Sequence, residues 1–429
     1  MLFTVFLIFG LIAFCLTIGV PIGISIGAAT AVTMYFTSKI PLISITQNAF
    51  TALDTFPLLA VPLFILSGNL MSYGGISRRL VKLADSLVGA VTGGLAMVTV
   101  MACMFFSAIS GSAVATVSGI GGFMIPEMKK KKYDDAFSAA LTAAAGSLGV
   151  IIPPSISFVV YGVMTGVSIG QLFIAGIIPG VLLGFGLMGG AYIISKKENY
   201  PRGESYHSLK DFLVSLKESA AAVMVPVIIL GGIYGGVFTP TEAAGVAVVY
   251  SLIVGIFIYK EIDRENLVHA LLDTVLINGA VTFMMGLSMS FARFLTTSGI
   301  PQYITMQLLE FTQSSALTLL LINILLLIVG CFVDNLSAAI ILIPILMPII
   351  NNYGIDPIHF GVISTVALAI GFITPPYGPN LFVASAISGV SIERITKKIW
   401  AFCAILSAIL IVITYVPAIS LGLVNLIYK

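Results

Sequence analysis

Two short stretches, GVIIPPS at 149–155 and GFITPPY at 371–377, each lie inside a long apolar run. A glycine followed by paired prolines cannot continue a helix. Proline lacks the backbone N–H, its ring clashes with the preceding turn, and it pushes the residue before it out of helical geometry. Unwound backbone at membrane depth is tolerated only where protein buries it or where it lines a wet cavity. Two such breaks in corresponding places of a duplicated chain point to the binding site of a transporter.

The membrane premise rests on composition. Of 429 residues 59% are hydrophobic and 9% charged, against about 25% charged in a soluble domain. Nearly every long apolar run meets the roughly 20 residues a spanning helix needs. The chain therefore reads as an all-α polytopic membrane protein. A net charge of +2 is too small to imply a nucleic-acid partner. Cys15, Cys103, Cys331 and Cys403 are scattered in apolar surroundings and read as small hydrophobes; His207, His269 and His359 form no ligand cluster. The first apolar run has no basic n-region and continues into further spans, so no cleaved signal peptide is read.

The duplication has several landmarks. Pro126 and Pro348 stand 222 residues apart, and the same offset pairs Asp134 with Asp356, Gly149 with Gly371 and the two proline pairs. GVSI at 166–169 returns at 389–392 after one inserted residue, and SYGGI at 72–76 loosely echoes TTSGI at 296–300. Charge then orients the halves. The four lysines at 129–132, and Arg78, Arg79 and Lys82, face uncharged counterparts in the second half, whereas the second GVSI runs into Glu393, Arg394, Lys397 and Lys398. Basic loops stay cytoplasmic, so three equivalent loops exchange sides and the halves are inverted. Following the loops puts both termini on the outer side.

The chain divides into a first repeat at 1–195, a polar cytoplasmic linker at 196–218 and a second repeat at 219–429. In the first, two spans within 2–38 and a third at 55–71 precede an amphipathic surface helix at 77–87. In the second, spans near 220–237, 243–259 and 271–290 precede an apolar pair at 317–350, the second break, and a last span at 399–427.

Each half also holds a small polar cluster between two apolar arms, FFSAISGSAVATVS at 105–118 and GCFVDNLSAA at 330–339. Arms of roughly 15 residues reach about 23 Å, short of the ~30 Å hydrocarbon core. Re-entrant hairpins would put their polar tips near mid-membrane, beside the broken helices. Exposed carbonyls there coordinate Na⁺, and hydroxyls donate to substrate or ligate the ion. Two inverted sodium sites are expected, the first from Ser107, Ser110, Gly149, Ile152 and Pro154, the second from Gly330, Asn335, Gly371, Thr374 and Tyr377. Ser112, Ser157 and Asp334 would face the substrate between them. Small-residue helix packing at 107–112 and a plain loop carboxylate at Asp334 are the bland alternatives. Arg293, in an apolar run, reads as a snorkelling or interface anchor rather than a substrate clamp.

These motifs, FFSAISGSAVATVSGIG, GSLGVIIPPS and GFITPPYGPN, resemble those of the large membrane subunit of tripartite ATP-independent periplasmic (TRAP) transporters, and the similarity runs over essentially the whole chain. The resemblance implies an elevator-type transporter fold of the wider ion transporter superfamily, with a scaffold and a moving domain carrying two opposed hairpins. It also implies sodium-driven uptake across the inner membrane, a separate small four-helix membrane subunit and a soluble periplasmic binding protein that delivers substrate. Family substrates are carboxylates; Ser112 and Ser157 incline the reading to sialic acid before a C4-dicarboxylate. A stand-alone sodium/carboxylate symporter is the alternative. A channel suits mid-membrane polar tips less well. A membrane-embedded enzyme finds no HExxH, no GxSG serine motif and no pair of intramembrane aspartates with catalytic context.

Overall fold

The computed structural model describes residues 2–203, 209–376 and 378–428; His207 and Tyr377 lie outside the described residues. Among those described there is no strand, only an isolated bridge between Thr92 and Arg202. Among the described residues seven helices are long and apolar enough to cross a membrane.

The first half opens with Leu2–Thr17 (α1) and Ile22–Thr37 (α2), parted at Pro21. A short helix that the apolar-run reading passes over, Ile43–Leu53 (α3), follows. After a 3₁₀ turn comes Ala60–Tyr73 (α4). Ile76–Val88 (α5) is the expected amphipathic helix. It packs on Gly94–Ser110 (α6), which Gly111 and Ser112 join to Ala113–Lys130 (α7). The first broken helix is Asp135–Gly146 (α8), a 3₁₀ turn at Ser147–Val150 and Ile156–Thr165 (α9); Ile169–Lys197 (α10) closes the half.

The second half begins with Leu209–Tyr234 (α11), which starts inside the segment read as a linker, and Pro240–Ile253 (α12). Arg264–Thr297 (α13) is the longest helix, 34 residues or about 51 Å at 1.5 Å per residue. Ile300–Phe311 (α14) is a short helix in the place of α5, unforeseen because its loop carries little charge. Ser315–Gly330 (α15) and Asn335–Asn352 (α16) form the second helix pair. Pro357–Gly371 (α17) and Pro379–Ser388 (α18) form the second broken helix. The expected last span is two helices, Ile392–Tyr415 (α19) and Ala418–Ile427 (α20), because Pro417 cannot donate to the turn before it.

The paired landmarks are helix punctuation. Asp134 and Asp356 cap the two broken helices: Phe137 N donates to Asp134 Oδ1 at 2.7 Å, and Ile358 N to Asp356 Oδ1 at 2.7 Å. Gly166 and Gly389 end α9 and α18 with φ of 75° and 69°, a conformation that favours glycine. Both proline pairs, Pro153-Pro154 and Pro375-Pro376, carry cis peptide bonds.

The first segments of the broken helices are the axis of the core. Residues 136–146 of α8 and 359–371 of α17 are buried throughout. Around them the contacts come in reciprocal pairs. α7 packs on α18 as α16 packs on α9, α8 on α19 as α17 on α10, and α4 on α12 as α13 on α2, with α4 and α13 touching each other.

Candidate functional site

The first helix pair presents its turn to the first break. Gly111 turns with φ of 61°, and Ser112 then caps α7, its Oγ accepting from Ala115 N at 3.4 Å. Ser110 Oγ and Thr116 Oγ1 lie 2.9 Å apart, and Thr116 Oγ1 donates to Ser112 O at 2.8 Å. The broken stretch lies directly against this turn. A Cβ added at Gly149 would stand 2.4 Å from Ser112 O and 2.6 Å from Thr116 Oγ1, and one at Gly111 2.8 Å from Pro154 O. Ile156 N donates to Gly111 O at 3.4 Å. Ser107, Ser110, Ile152 and Pro154 are buried, and Ser107 Oγ has no hydrogen-bond partner. Of the five expected first-site residues, Gly149 and Pro154 lie on the break side of this contact and Ser110 on the turn side; Ser107 stands one turn before Gly111, whose N–H donates to Ser107 O at 3.3 Å, and Ile152 packs toward Gly180 of α10.

The second half repeats the contact with different chemistry. Added Cβ atoms show how close the backbones run, since one at Gly371 would lie 2.6 Å from Gly330 Cα. Asp334 caps α16, accepting from Ser337 N at 3.0 Å and from Ser337 Oγ. Asn335 is 4% exposed, and neither its Oδ1 nor its Nδ2 has a partner. An unsatisfied buried amide of this kind carries a desolvation penalty of about 1–3 kcal/mol, which a bound ligand would relieve. Thr374 Oγ1 instead donates back to Ile370 O at 2.7 Å. Tyr377, the remaining second-site candidate, lies outside the described residues.

The three candidate substrate residues line one cavity of about 560 Å³. Ser112, Ser157 and Asp334 enter it from the N-terminal ends of α7, α9 and α16, and Ser157 Oγ is buried without a partner. α4 and α13 supply the facing wall with Asn69 and Asp273. Tyr73 OH donates to Asp273 Oδ2 at 2.7 Å, and Asn69 Nδ2 to Thr274 Oγ1 at 2.9 Å, so this wall is internally tied.

Three residues in or beside these sites escape the sequence reading. Thr116 stands four residues after Ser112, which puts both on one helix face, and that spacing was a usable signal. Asp273 is a carboxylate inside an apolar run, itself a functional flag. Asn380, fully buried with Nδ2 donating to Ala143 O at 3.1 Å and Oδ1 unpaired, ties α18 to α8; it closes the GFITPPYGPN motif, which was a usable signal.

Comparison with known proteins bears on this geometry. Residues 9–419 match the family described as the DctM component of the tripartite ATP-independent periplasmic transporter. The isethionate TRAP transporter permease protein DctMQ of Oleidesulfovibrio alaskensis is 45% identical over 96% of this chain, which spans 65% of that longer relative. The C4-dicarboxylate TRAP transporter large permease protein DctM of Pseudomonas aeruginosa is 42% identical, covering 94% of each chain. The sialic acid TRAP transporter large permease protein SiaM of Vibrio cholerae is 37% identical, covering 95% of each. Among solved structures, the YdaH transporter of Alcanivorax borkumensis superposes with a TM-score of 0.64 at 15% identity over 89% of this chain and 90% of its own, a likeness of fold. The chain belongs to the DctM-component family of TRAP transporters, and is a multi-pass membrane permease rather than an enzyme.

Proposed function

We propose that this permease is the large subunit of a sodium-coupled uptake system, working with a small membrane subunit and a periplasmic binding protein. The cargo is a small organic carboxylate or sulfonate, with sialic acid the first to test and a C4-dicarboxylate next. The relatives are named for isethionate, C4-dicarboxylate and sialic acid, which share that anionic chemistry.

The observation that carries the reading is the convergence of Ser112, Ser157 and Asp334 on one cavity, with Asn335 Oδ1 unpartnered in its lining and Ser107 Oγ buried and unpartnered one turn before Gly111. Those oxygens, with carbonyls freed by the breaks, are hard donors of the kind Na⁺ takes, so the residues fit the ion. Sodium bound there supplies positive charge beside an anionic cargo. Ser112 and Ser157 offer hydroxyls to its oxygens, and the Asp334 carboxylate accepts from its hydroxyl or amide groups.

Reciprocal packing supports an inverted repeat, with α6–α10 and α15–α20 as a moving block and α1–α4 with α11–α13 as its frame. The basic loops at 78–82, 129–132 and 394–398 then face the cytoplasm of an inner membrane, and both termini the periplasm. In this elevator reading the Ser112, Ser157 and Asp334 face travels with the block while α4 and α13 stand still.

The test is uptake of labelled sialic acid, succinate and isethionate into liposomes holding this chain and its small subunit, with sodium gradient and binding protein varied separately. Uptake requiring both is expected. Uptake with sodium alone would favour a stand-alone symporter, and uptake indifferent to sodium would remove the coupling.

A further inference from the structure

A second cavity, of about 700 Å³, lies along the same interface as the first. Its frame wall is α3 and the C-terminal part of α13, from Met289 to Thr297; its other wall is the C-terminal ends of α9 and α16. The first cavity uses α13 at Asp273, Leu276 and Ile277 and the N-terminal ends of α9 and α16. Both cavities therefore share three helices and sit at successive heights on them. Twenty residues of α13 separate Asp273 from Arg293, about 30 Å along the helix, close to the thickness of the hydrocarbon core.

The charges at the two heights are opposite. Among the described residues, Arg293 is the sole charged one lining the second cavity, beside neutral hydrogen-bonding side chains such as Asn48, Thr51, Thr165 and Asn351. Among the described residues no carboxylate pairs with it. Among the described residues the first cavity has no cation in its lining and two carboxylates, Asp334 on the block and Asp273 on the frame. Ser290 Oγ donates to Ile45 O at 2.7 Å and pins α3 to α13, so Arg293 stands on a rigid part of the frame.

We propose that Arg293 is an outer-side capture residue. When the Ser112, Ser157 and Asp334 face stands at the outer height, the guanidinium of Arg293 attracts and hydrogen-bonds the acid group of the anionic cargo. At the inner height the same face meets Asp273, whose negative charge favours release. The inference rests on the elevator reading above and names the frame residues that give it direction. Arg293 is then not the interface anchor that its apolar surroundings in sequence suggest.

Two measurements on the assembled complex test it. In liposome uptake of sialic acid, succinate and isethionate, Arg293→Gln should raise the half-saturating concentration about tenfold, the scale of one lost charge-assisted hydrogen bond. Maximal rate should stay within about twofold, and Arg293→Lys should recover most of the loss. A purely structural arginine would instead lower the maximal rate in both variants. The second measurement needs no transport and no binding protein. Thr296→Cys, one turn from Arg293, is labelled with an anionic sulfonatoethyl and a cationic trimethylammonioethyl methanethiosulfonate, with the four native cysteines replaced by alanine. The anionic-to-cationic rate ratio should fall about tenfold when Arg293→Gln is added. Unchanged half-saturation in Arg293→Gln overturns the proposal. If the wild-type complex takes up none of the three probes, the transport reading fails on its own, and the labelling ratio decides: a fall upholds anion attraction by Arg293, and no change overturns it.

Discussion

Replacing Asp334 by alanine is expected to lower uptake at least about a hundredfold while the protein still assembles with its small subunit. Two roles must be separated, because this carboxylate both caps α16 and lines the cavity. Loss of a cap costs about 1 kcal/mol, too little to unfold a chain with this much buried core. A half-buried carboxylate that accepts from cargo contributes about 1.5–3 kcal/mol, and its charge also helps hold the sodium beside it. Asp334→Asn and Asp334→Ser decide between the roles. Both residues cap helices well, and serine is what the first half uses at the matching position, Ser112. Both variants should fold like the parent and transport as poorly as alanine. Recovery of uptake in either would assign Asp334 to the helix end and remove it from the site.

A single methyl group at Gly149 should be almost as damaging. The added Cβ would meet backbone, Ser112 O at 2.4 Å, rather than the end of a flexible side chain. Gly149→Ala must therefore push the α6–α7 turn off the break, at about 1–3 kcal/mol for overpacking. The oxygens expected to share a sodium ion would move apart. The measured result should be a rise of at least about tenfold in the sodium concentration for half-maximal uptake. Gly122→Ala is the matched control, since its Cβ would meet nothing within 4 Å. Equal sodium dependence in the two variants would detach the break from sodium binding.

The parts of the fold that were legible in the sequence share a physical cause. Paired prolines, a glycine with positive φ and an aspartate three residues before an apolar run act locally, so Pro153-Pro154, Gly166 and Asp134 announced their elements without tertiary context. The helix pair at 94–130 was legible because its polar centre is a short interruption between apolar arms. What stayed hidden depends on neighbours. α14 lacks the arginines that marked α5, and α3 is too short to stand out from the apolar runs beside it. Among site residues, Ser112, Ser157 and Asp334 were picked from composition and symmetry, and the fold gathers them at one cavity. Asn69 and the Arg293 cavity were not foreseen, because a wall contributed by another helix leaves no mark on the sequence that faces it; Asp273 did carry a mark, a carboxylate in an apolar run, but nothing marked its partner across the cavity.

The sliding of the Ser112, Ser157 and Asp334 face past α13 is the central claim, and a cross-link tests it most directly. Leu336 on α16 and Leu276 on α13 line opposite walls of the first cavity. Leu336→Cys with Leu276→Cys, in the background without native cysteines, would be joined by a short, reducible bifunctional thiol reagent. Uptake should stop on cross-linking and return on reduction, with each single variant indifferent to the reagent. Undiminished uptake by a fully cross-linked pair would contradict a moving block.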